Sequence, residues 1–365
     1  MPDTLAPTAA SGARTPMPRS GVVTPLESQV GGHPGVLASE DGSLLIKPAL
    51  EHEVAFYHSL STNPDFAPLR PFVPKFYGTL RLEGQVDNSA PAGEQGGPLV
   101  VVDTVPDGEK DSIVLENLSH RFVKPNILDI KLGTVLYDDE ATPEKRARME
   151  KTARDTTSFE TGVRLTGFQV YDLATGKAVN TPKSYGKSIK AADLPDGIAR
   201  FFPIAPEAPP SETNAPATVA IADPSDKPSL GTGLPADILE PILESLRDDI
   251  AEIRDALAEV HMRMVGGSLL VIYEADLERA REGLHWLEEG GDEEDEEEDE
   301  EEADENGSKP PVGPPYIVKL IDFAHTKIVP GAGPDEGVLK GVDTVLSLLQ
   351  GRIEQVKAAA VSSQE

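Results

Sequence analysis

The chain has 365 residues, 26% of them charged, a formal net charge of −30 and no cysteine. Without cysteine there is no disulfide, no thiolate zinc site and no cysteine nucleophile, and no apolar run is long enough to span a bilayer. Asp292 to Glu305 is acidic at every position but Ala303 and carries 13 of the negative charges, so a basic pocket elsewhere still attracts a polyanion across the screening length of about 10 Å.

Residues 1–20 are rich in Pro, Ala, Ser and Thr and are expected to form a disordered tail. Gly42 to Lys47 reads as a turn entering a strand, and Leu50 to Leu60 as a helix with Val54, Tyr57 and Leu60 in register. Leu99 to Thr104 and Ser112 to Leu118 are further strand candidates on either side of a turn at Asp107-Gly108. Together they predict a small N-terminal lobe over residues 21–118, an antiparallel sheet carrying one helix.

The larger lobe, residues 119–365, begins with Pro125 to Gly133. Thr142 then caps a charged helix that runs to Arg154, with Pro143 in its first turn. Val163 to Tyr171 alternates like a strand. Residues 203–235 are dense in Pro, Ala and Ser and read as a flexible insertion. Ile242, Leu246, Ile250, Ile253, Leu257 and Val260 form one apolar helical stripe, which Gly266-Gly267 is expected to end before the strand Ser268–Tyr273. A helix over Ala275–Leu287 precedes a second low-complexity insertion, about 290–315, whose like charges favour disorder. The strand Tyr316–Ile321 and a closing helix over Gly337–Ile353 complete an α+β, two-lobed chain without internal repeats.

The most telling segment is Pro125-Asn126-Ile127-Leu128-Asp129-Ile130-Lys131-Leu132-Gly133. In a strand, Asp129 and Lys131 point to one side with Ile127, while Leu128, Ile130 and Leu132 line the other. Opposite charges beside so much hydrocarbon either pair with each other or meet a charged ligand, such as a phosphate with its metal ion.

Pro125, Asp129, Lys131 and Gly133 match the P-x-x-x-D-x-K-x-G signature of the inositol polyphosphate kinase family. Ser268-Leu269-Leu270 with Val271-Ile272-Tyr273, and Ile321-Asp322-Phe323-Ala324-His325-Thr326, resemble its two later motifs in the same order. The resemblance runs from about Gly31 to the C-terminus, and Gly162 to Asp172 looks most like the fungal and plant multikinase branch. It implies a two-lobed fold like that of protein kinases and ATP-grasp enzymes, with ATP and Mg2+ as cofactors and inositol trisphosphate and tetrakisphosphate as acceptors.

Phosphoryl transfer asks for a lysine on the nucleotide phosphates, a carboxylate on magnesium and a group that positions the acceptor. Lys47 ends the run Leu44–Ile46, where a lysine is either an exposed strand-end cation or, as the resemblance implies, the contact to the nucleotide phosphates, and Glu53 either orients it or is an exposed helix charge. The resemblance places Glu116 and Leu118 at the adenine through main-chain atoms, with Asn117 standing where the family often has Asp. It places Asp129 beside the nucleotide and the acceptor hydroxyl, Lys131 on the transferred phosphate, Ser268 near the nucleotide phosphates and Asp322 on the metal. His325 reads as a satisfied structural histidine in preference to a metal ligand. Lys145, Arg146, Arg148 and Lys151, with Arg154 close by, crowd the helix after the first motif, where the family binds its acceptor. A solvated charged face is the alternative there. Lys187 is a further candidate acceptor contact.

No phosphate loop, H-E-x-x-H pair, G-x-S-x-G elbow or protein-kinase H-R-D triplet occurs. No aromatic-interleaved basic patch points to direct nucleic-acid contact. The expectation is a monomer of nucleus and cytoplasm, acting as a multikinase that makes pentakisphosphate. The rival within the class is a hexakisphosphate kinase. The rival outside it is an interaction protein or transcription cofactor that meets protein partners through residues 292–305.

Overall fold

The computed structural model describes residues 23–25, 35–81, 85–86, 101–102, 111–205, 233–291 and 312–362. The sequence-predicted tail, most of both insertions and the turn at Asp107-Gly108 lie outside these residues.

The N-terminal lobe is built on a five-stranded antiparallel sheet. Its strands are β1 (Thr24–Pro25), β2 (Leu37–Ala38), β3 (Leu44–Pro48), β4 (Phe76–Arg81) and, after the short strands β5 (Gln85–Val86) and β6 (Val101–Val102), β7 (Asp111–Glu116). The order β1-β2-β3-β7-β4 sets β3 directly beside the strand that leaves the lobe. Of the strand expected over Leu99–Thr104, Val101–Val102 falls within the described residues and pairs with β5. Helix α1 (Glu51–Thr62) and a 3-10 helix (Pro64–Phe72) follow β3. The 3-10 stretch escaped the sequence reading because its prolines, Pro64, Pro68 and Pro71, look like loop punctuation.

The second sheet runs β10-β9-β8-β12-β13, antiparallel throughout. It comprises β8 (Pro125–Leu132), β9 (Val163–Asp172), β10 (Lys177–Thr181), β12 (Ser268–Glu274) and β13 (Tyr316–Ile321). Helices α2 (Pro143–Asp155) and α3 (Ser158–Thr161) connect β8 to β9, and α4 (Lys183–Ser188) and α5 (Leu194–Phe201) follow β10. Helix α6 (Ala236–Glu259) then precedes β11 (Met262–Val265) and β12, and α7 (Leu277–Glu288) follows them. The chain finishes with β13, β14 (His325–Ile328) and α8 (Glu336–Ser362).

The apolar stripe of α6 is buried as its spacing predicts, with Ile242, Leu246, Ile250 and Ile253 fully covered. Its end differs from the expectation. The helix stops at Glu259 and Val260 is extended, so Met262 and Met264 alternate inward on β11, which pairs with β14. The stripe's phase carried through to Val260 and hid the change of period. Helix α8 also outruns its expected end at Ile353, because Val356 continues the buried face.

One apolar core joins the lobes. Phe56, Phe66, Leu69 and Ile113 from the first share it with Leu128, Ile130 and α6 from the second. Phe56 stacks on Phe323 at 4.2 Å between centroids, so the segment after β13 is pinned against α1. A second cluster of Leu118, Phe122, Ile127, Ile272 and Ile317 lies on the opposite face of the β8–β12–β13 sheet, under the connector, residues 116–124, that joins β7 to β8. Gly162 closes the other end. Its φ is +73° and a Cβ there would sit 2.6 Å from the backbone nitrogen of Gly341, so only glycine lets β9 start against α8.

Candidate active site

Strand register brings the first motif and the last together. Across the second sheet Arg164, Lys131, Ser268 and Ile321 stand in one row, each opposite the next. Directly opposed residues share a face, so Arg164, Lys131 and Ser268 present to the same side, and Asp129 joins them two residues back along β8. Asp322 follows Ile321 with φ at +66°, the only described residue other than glycine at positive φ. That left-handed step turns its carboxylate out of the strand and across to its neighbours.

Lys47 Nζ lies 2.8 Å from Asp322 Oδ1 and 2.8 Å from Glu53 Oε1, while Lys131 Nζ lies 3.3 Å from Asp322 Oδ2. Asp322 thus bridges a lysine of each lobe. Glu53 is buried at 1% exposure and paired with Lys47, so it is not an exposed helix charge. Lys131 Nζ also donates to Ser268 Oγ at 3.0 Å and to the Gly266 carbonyl at 2.7 Å. Gly133, at φ +100°, donates its N–H to the Gly162 carbonyl at 2.8 Å and so fixes the turn after Lys131.

Charge is graded across this cluster. Burial pushes the Asp322 carboxyl up, but the Lys47 and Lys131 ammonium groups outweigh it and hold it below the ordinary range. Burial opposes the Lys47 ammonium, and Asp322 and Glu53 more than offset that and raise it. Asp129, 1% exposed, is pushed up by burial against the pull of Lys131, and it accepts a hydrogen bond from Thr166 Oγ1 at 3.3 Å. The two carboxylates of the motifs therefore differ in kind. The lysines hold Asp322 below the ordinary carboxylate range, and burial pushes Asp129 above it.

Arg164 was missed from sequence. Burial lowers its guanidinium and the Asp129 charge supports it, and it stands opposite Lys131. The available signal was the alternation of Val163, Arg164 and Leu165, buried, half-buried and buried, which aims one cation at the motif face.

Among the described residues no group of three or more His, Asp or Glu gathers as a metal cage. Magnesium is ordinarily held by one or two carboxylates and completed by substrate phosphates and water. The ionised Asp322, set between two lysines that also suit phosphate, fits such an ion.

The connector is tied down by its own side chains. Glu116 accepts from the Lys75 N–H at 2.8 Å through Oε1 and donates its own N–H to the Lys75 carbonyl at 3.1 Å, so it ties the connector to the segment before β4. Asn117 Nδ2 donates to the Gly42 carbonyl at 2.7 Å and its N–H to the Ser43 carbonyl at 2.8 Å, which anchors the β2–β3 turn. A cavity of about 800 Å³ runs along the connector, lined by Leu44, Val73, Glu116, Leu118, Ile317 and Lys319 among others. Lys47, Lys131 and Asp322 are not part of its wall.

The expected acceptor helix divides. Thr142 caps α2 by accepting from the Lys145 N–H at 3.2 Å. Lys145 Nζ reaches back to within 3.8 Å of Asp138. Arg146 donates to the Ala141 and Asp139 carbonyls and lies 5.6 Å over the Tyr137 ring, so it secures the loop before its helix. Lys151 pairs with Asp155 and Arg154 with Glu150. Arg148 has no ion pair among the described residues and is exposed. Lys187 is exposed on α4, without an ion pair or hydrogen bond to the cluster among those residues. Replacing Lys145 and Arg148 together by Ala is expected to raise the KM for an inositol phosphate about tenfold with kcat little changed. Initial rates over acceptor concentration check this, and a rise confined to the KM for ATP would contradict it.

His325 has a side-chain partner, as a satisfied structural histidine should, but it sits at the surface. Its Nδ1 lies 2.9 Å from Asp138 Oδ2, and its side chain is 42% exposed.

The inositol polyphosphate kinase family model matches residues 112–218 and 234–350, the stretches that carry every one of these second-lobe residues. The chain belongs to the inositol polyphosphate kinase family. It is 30% identical to the inositol polyphosphate multikinase of Saccharomyces cerevisiae over 371 residues, covering 88% of this chain and 96% of that one. Inositol hexakisphosphate kinase 1 of Rattus norvegicus is 28% identical over 65% of this chain and 51% of its own length. Among solved structures, that of the S. cerevisiae inositol phosphate multikinase in complex with ADP and Mn2+ superposes with a TM-score of 0.56 at 28% identity, covering 86% of this chain and all of that one. The chain is an inositol polyphosphate kinase, a phosphotransferase with α+β two-lobed architecture.

Proposed function

We propose that this kinase transfers the γ-phosphate of ATP to hydroxyls of inositol trisphosphate and then of the tetrakisphosphate, giving pentakisphosphate. The observation that carries this is the Asp322 carboxylate bridging Lys47 and Lys131 where the lobes meet. ATP lies between the lobes with its adenine along the connector and its phosphates on Lys47, which Glu53 steadies. Asp322 holds Mg2+, and the ion, when bound, neutralises charge on the phosphate oxygens. Lys131 follows the transferring phosphoryl group, whose equatorial oxygens hold the transition-state charge, and Ser268 keeps its ammonium in place. Asp129 faces the acceptor hydroxyl. A loose transition state needs only orientation from it, in keeping with a carboxyl that burial pushes up. Arg164, Lys145 and Arg148 supply cations for the ring phosphates.

The multikinase reading rests on the S. cerevisiae relative, which aligns over nearly its whole length, whereas the hexakisphosphate kinase aligns over half of its own. Purified protein incubated with ATP and Mg2+ is expected to convert trisphosphate stepwise to pentakisphosphate, read by anion-exchange chromatography. Pyrophosphate formed on hexakisphosphate, with no growth of trisphosphate, would overturn it in favour of the rival kinase. A cytosolic and nuclear location is part of the same proposal.

A further inference from the structure

The chain leaves the ionic cluster after Lys47, after Lys131 and after Asp322, and the three exits meet again at one cavity of about 310 Å³. Leu50 and His52 come from the first exit, Asp138 and Lys145 from the second, His325 and Thr326 from the third. Its wall is thus built from the segments that follow the three charged residues of the cluster, together with Lys145 of the expected acceptor helix. Asp138 is its hub. Oδ2 lies 2.9 Å from His325 Nδ1 and 3.8 Å from Lys145 Nζ, and the side chain is 12% exposed.

Two atoms in this wall stand out. Asp138 Oδ1 and Thr326 Oγ1 are both buried without a hydrogen-bond partner among the described residues. An unpartnered buried acceptor costs about 1–3 kcal/mol, and more when charged. Native structures keep few such groups without a reason. Here both line one cavity, with a histidine and a lysine beside them.

We propose that Asp138 is a positioning and specificity-determining residue of the acceptor site. It holds His325 through Nδ1, and its second oxygen receives a free hydroxyl of the polyol ring. This rests on the reading of the chain as an inositol phosphate kinase. Nδ1 faces Asp138, so Nε2 is directed away from the carboxylate. A ring hydroxyl has a proton to give to Oδ1. An ionised phosphate ester has none, and it meets the carboxylate charge at close range. The pocket therefore takes a ring that is open at this point and disfavours one that is phosphorylated there.

Asp138→Ala and Asp138→Asn in the full chain test this, with ATP, Mg2+ and inositol trisphosphate as substrates and hexakisphosphate as competitor. Asp138→Ala is expected to lower kcat about tenfold, the size of loss typical when an orienting partner is removed, with the KM for ATP unchanged. Asp138→Asn keeps an acceptor for Nδ1 and is expected to restore part of that kcat. Loss of the charge should tighten inhibition by hexakisphosphate about fivefold. The Asn side chain is nearly isosteric, so the inhibition reads even where the Ala variant fails to fold. Unchanged kcat in a folded Ala variant, or unchanged hexakisphosphate inhibition in the Asn variant, would overturn the inference while leaving the function standing. A parent chain that phosphorylates no inositol phosphate would overturn both.

Discussion

Replacing Asp322 by Asn is expected to lower phosphoryl transfer about a thousandfold, with thermal unfolding close to that of the parent chain. The two halves of this expectation have separate causes. Activity falls because Asn is neutral, and a neutral amide oxygen is a far weaker partner for magnesium than an ionised carboxylate. The fold stands because each lysine keeps other partners. Lys47 retains Glu53 at 2.8 Å, and Lys131 retains Ser268 and the Gly266 carbonyl. The backbone also welcomes Asn at φ +66°, since Asn and Asp are the side chains that tolerate the left-handed region best. Steady-state rates over a magnesium series, beside a melting curve, check both halves. Turnover within tenfold of the parent would take Asp322 away from the metal.

Lys47→Ala is expected to cost activity and stability together. Glu53 is 1% exposed, and Lys47 is its ion-pair partner among the described residues. Removing one member of a buried pair typically costs about 3–5 kcal/mol, because the remaining charge is stranded out of water. The melting point should therefore drop by roughly four to seven degrees for a chain of this size. Turnover should fall about a hundredfold, because the nucleotide phosphates lose their cation. A second change separates the effects. Glu53→Gln in the Lys47→Ala background removes the stranded charge and is expected to recover most of the lost melting temperature but none of the lost turnover. Recovery of both would mean that Lys47 acts on the fold alone.

How far the sequence carries this site depends on whether a feature is local. The period-two pattern of Pro125 to Leu132 is local, and it placed Asp129 and Lys131 on one face, as β8 does. The capped α2, the stripe of α6 and the strand before Asp322 were legible for the same reason. What stayed hidden depends on register between distant strands. Nothing near Lys131 in the chain announces Arg164 opposite it, or Ser268 on its other side. The pairing of β11 with β14 was equally silent, since Met262 to Val265 follows a helix whose apolar phase runs almost into it. For His325 the sequence suggested a satisfied side chain but not what satisfies it. Its partner, Asp138, lies in a loop with no periodicity to mark it. Arg146 misled by looking like one of a row of equivalent cations while its guanidinium closes the loop before α2.

The central claim is that Asp322 holds the metal between a lysine of each lobe. A crystal structure with ADP and Mn2+, with the ion located by anomalous scattering, tests it most directly. The account predicts one strong anomalous peak within coordinating distance of an Asp322 oxygen, with Lys47 and Lys131 turned from the carboxylate toward the phosphates. A peak elsewhere, with Asp322 still joined to both lysines, would contradict it.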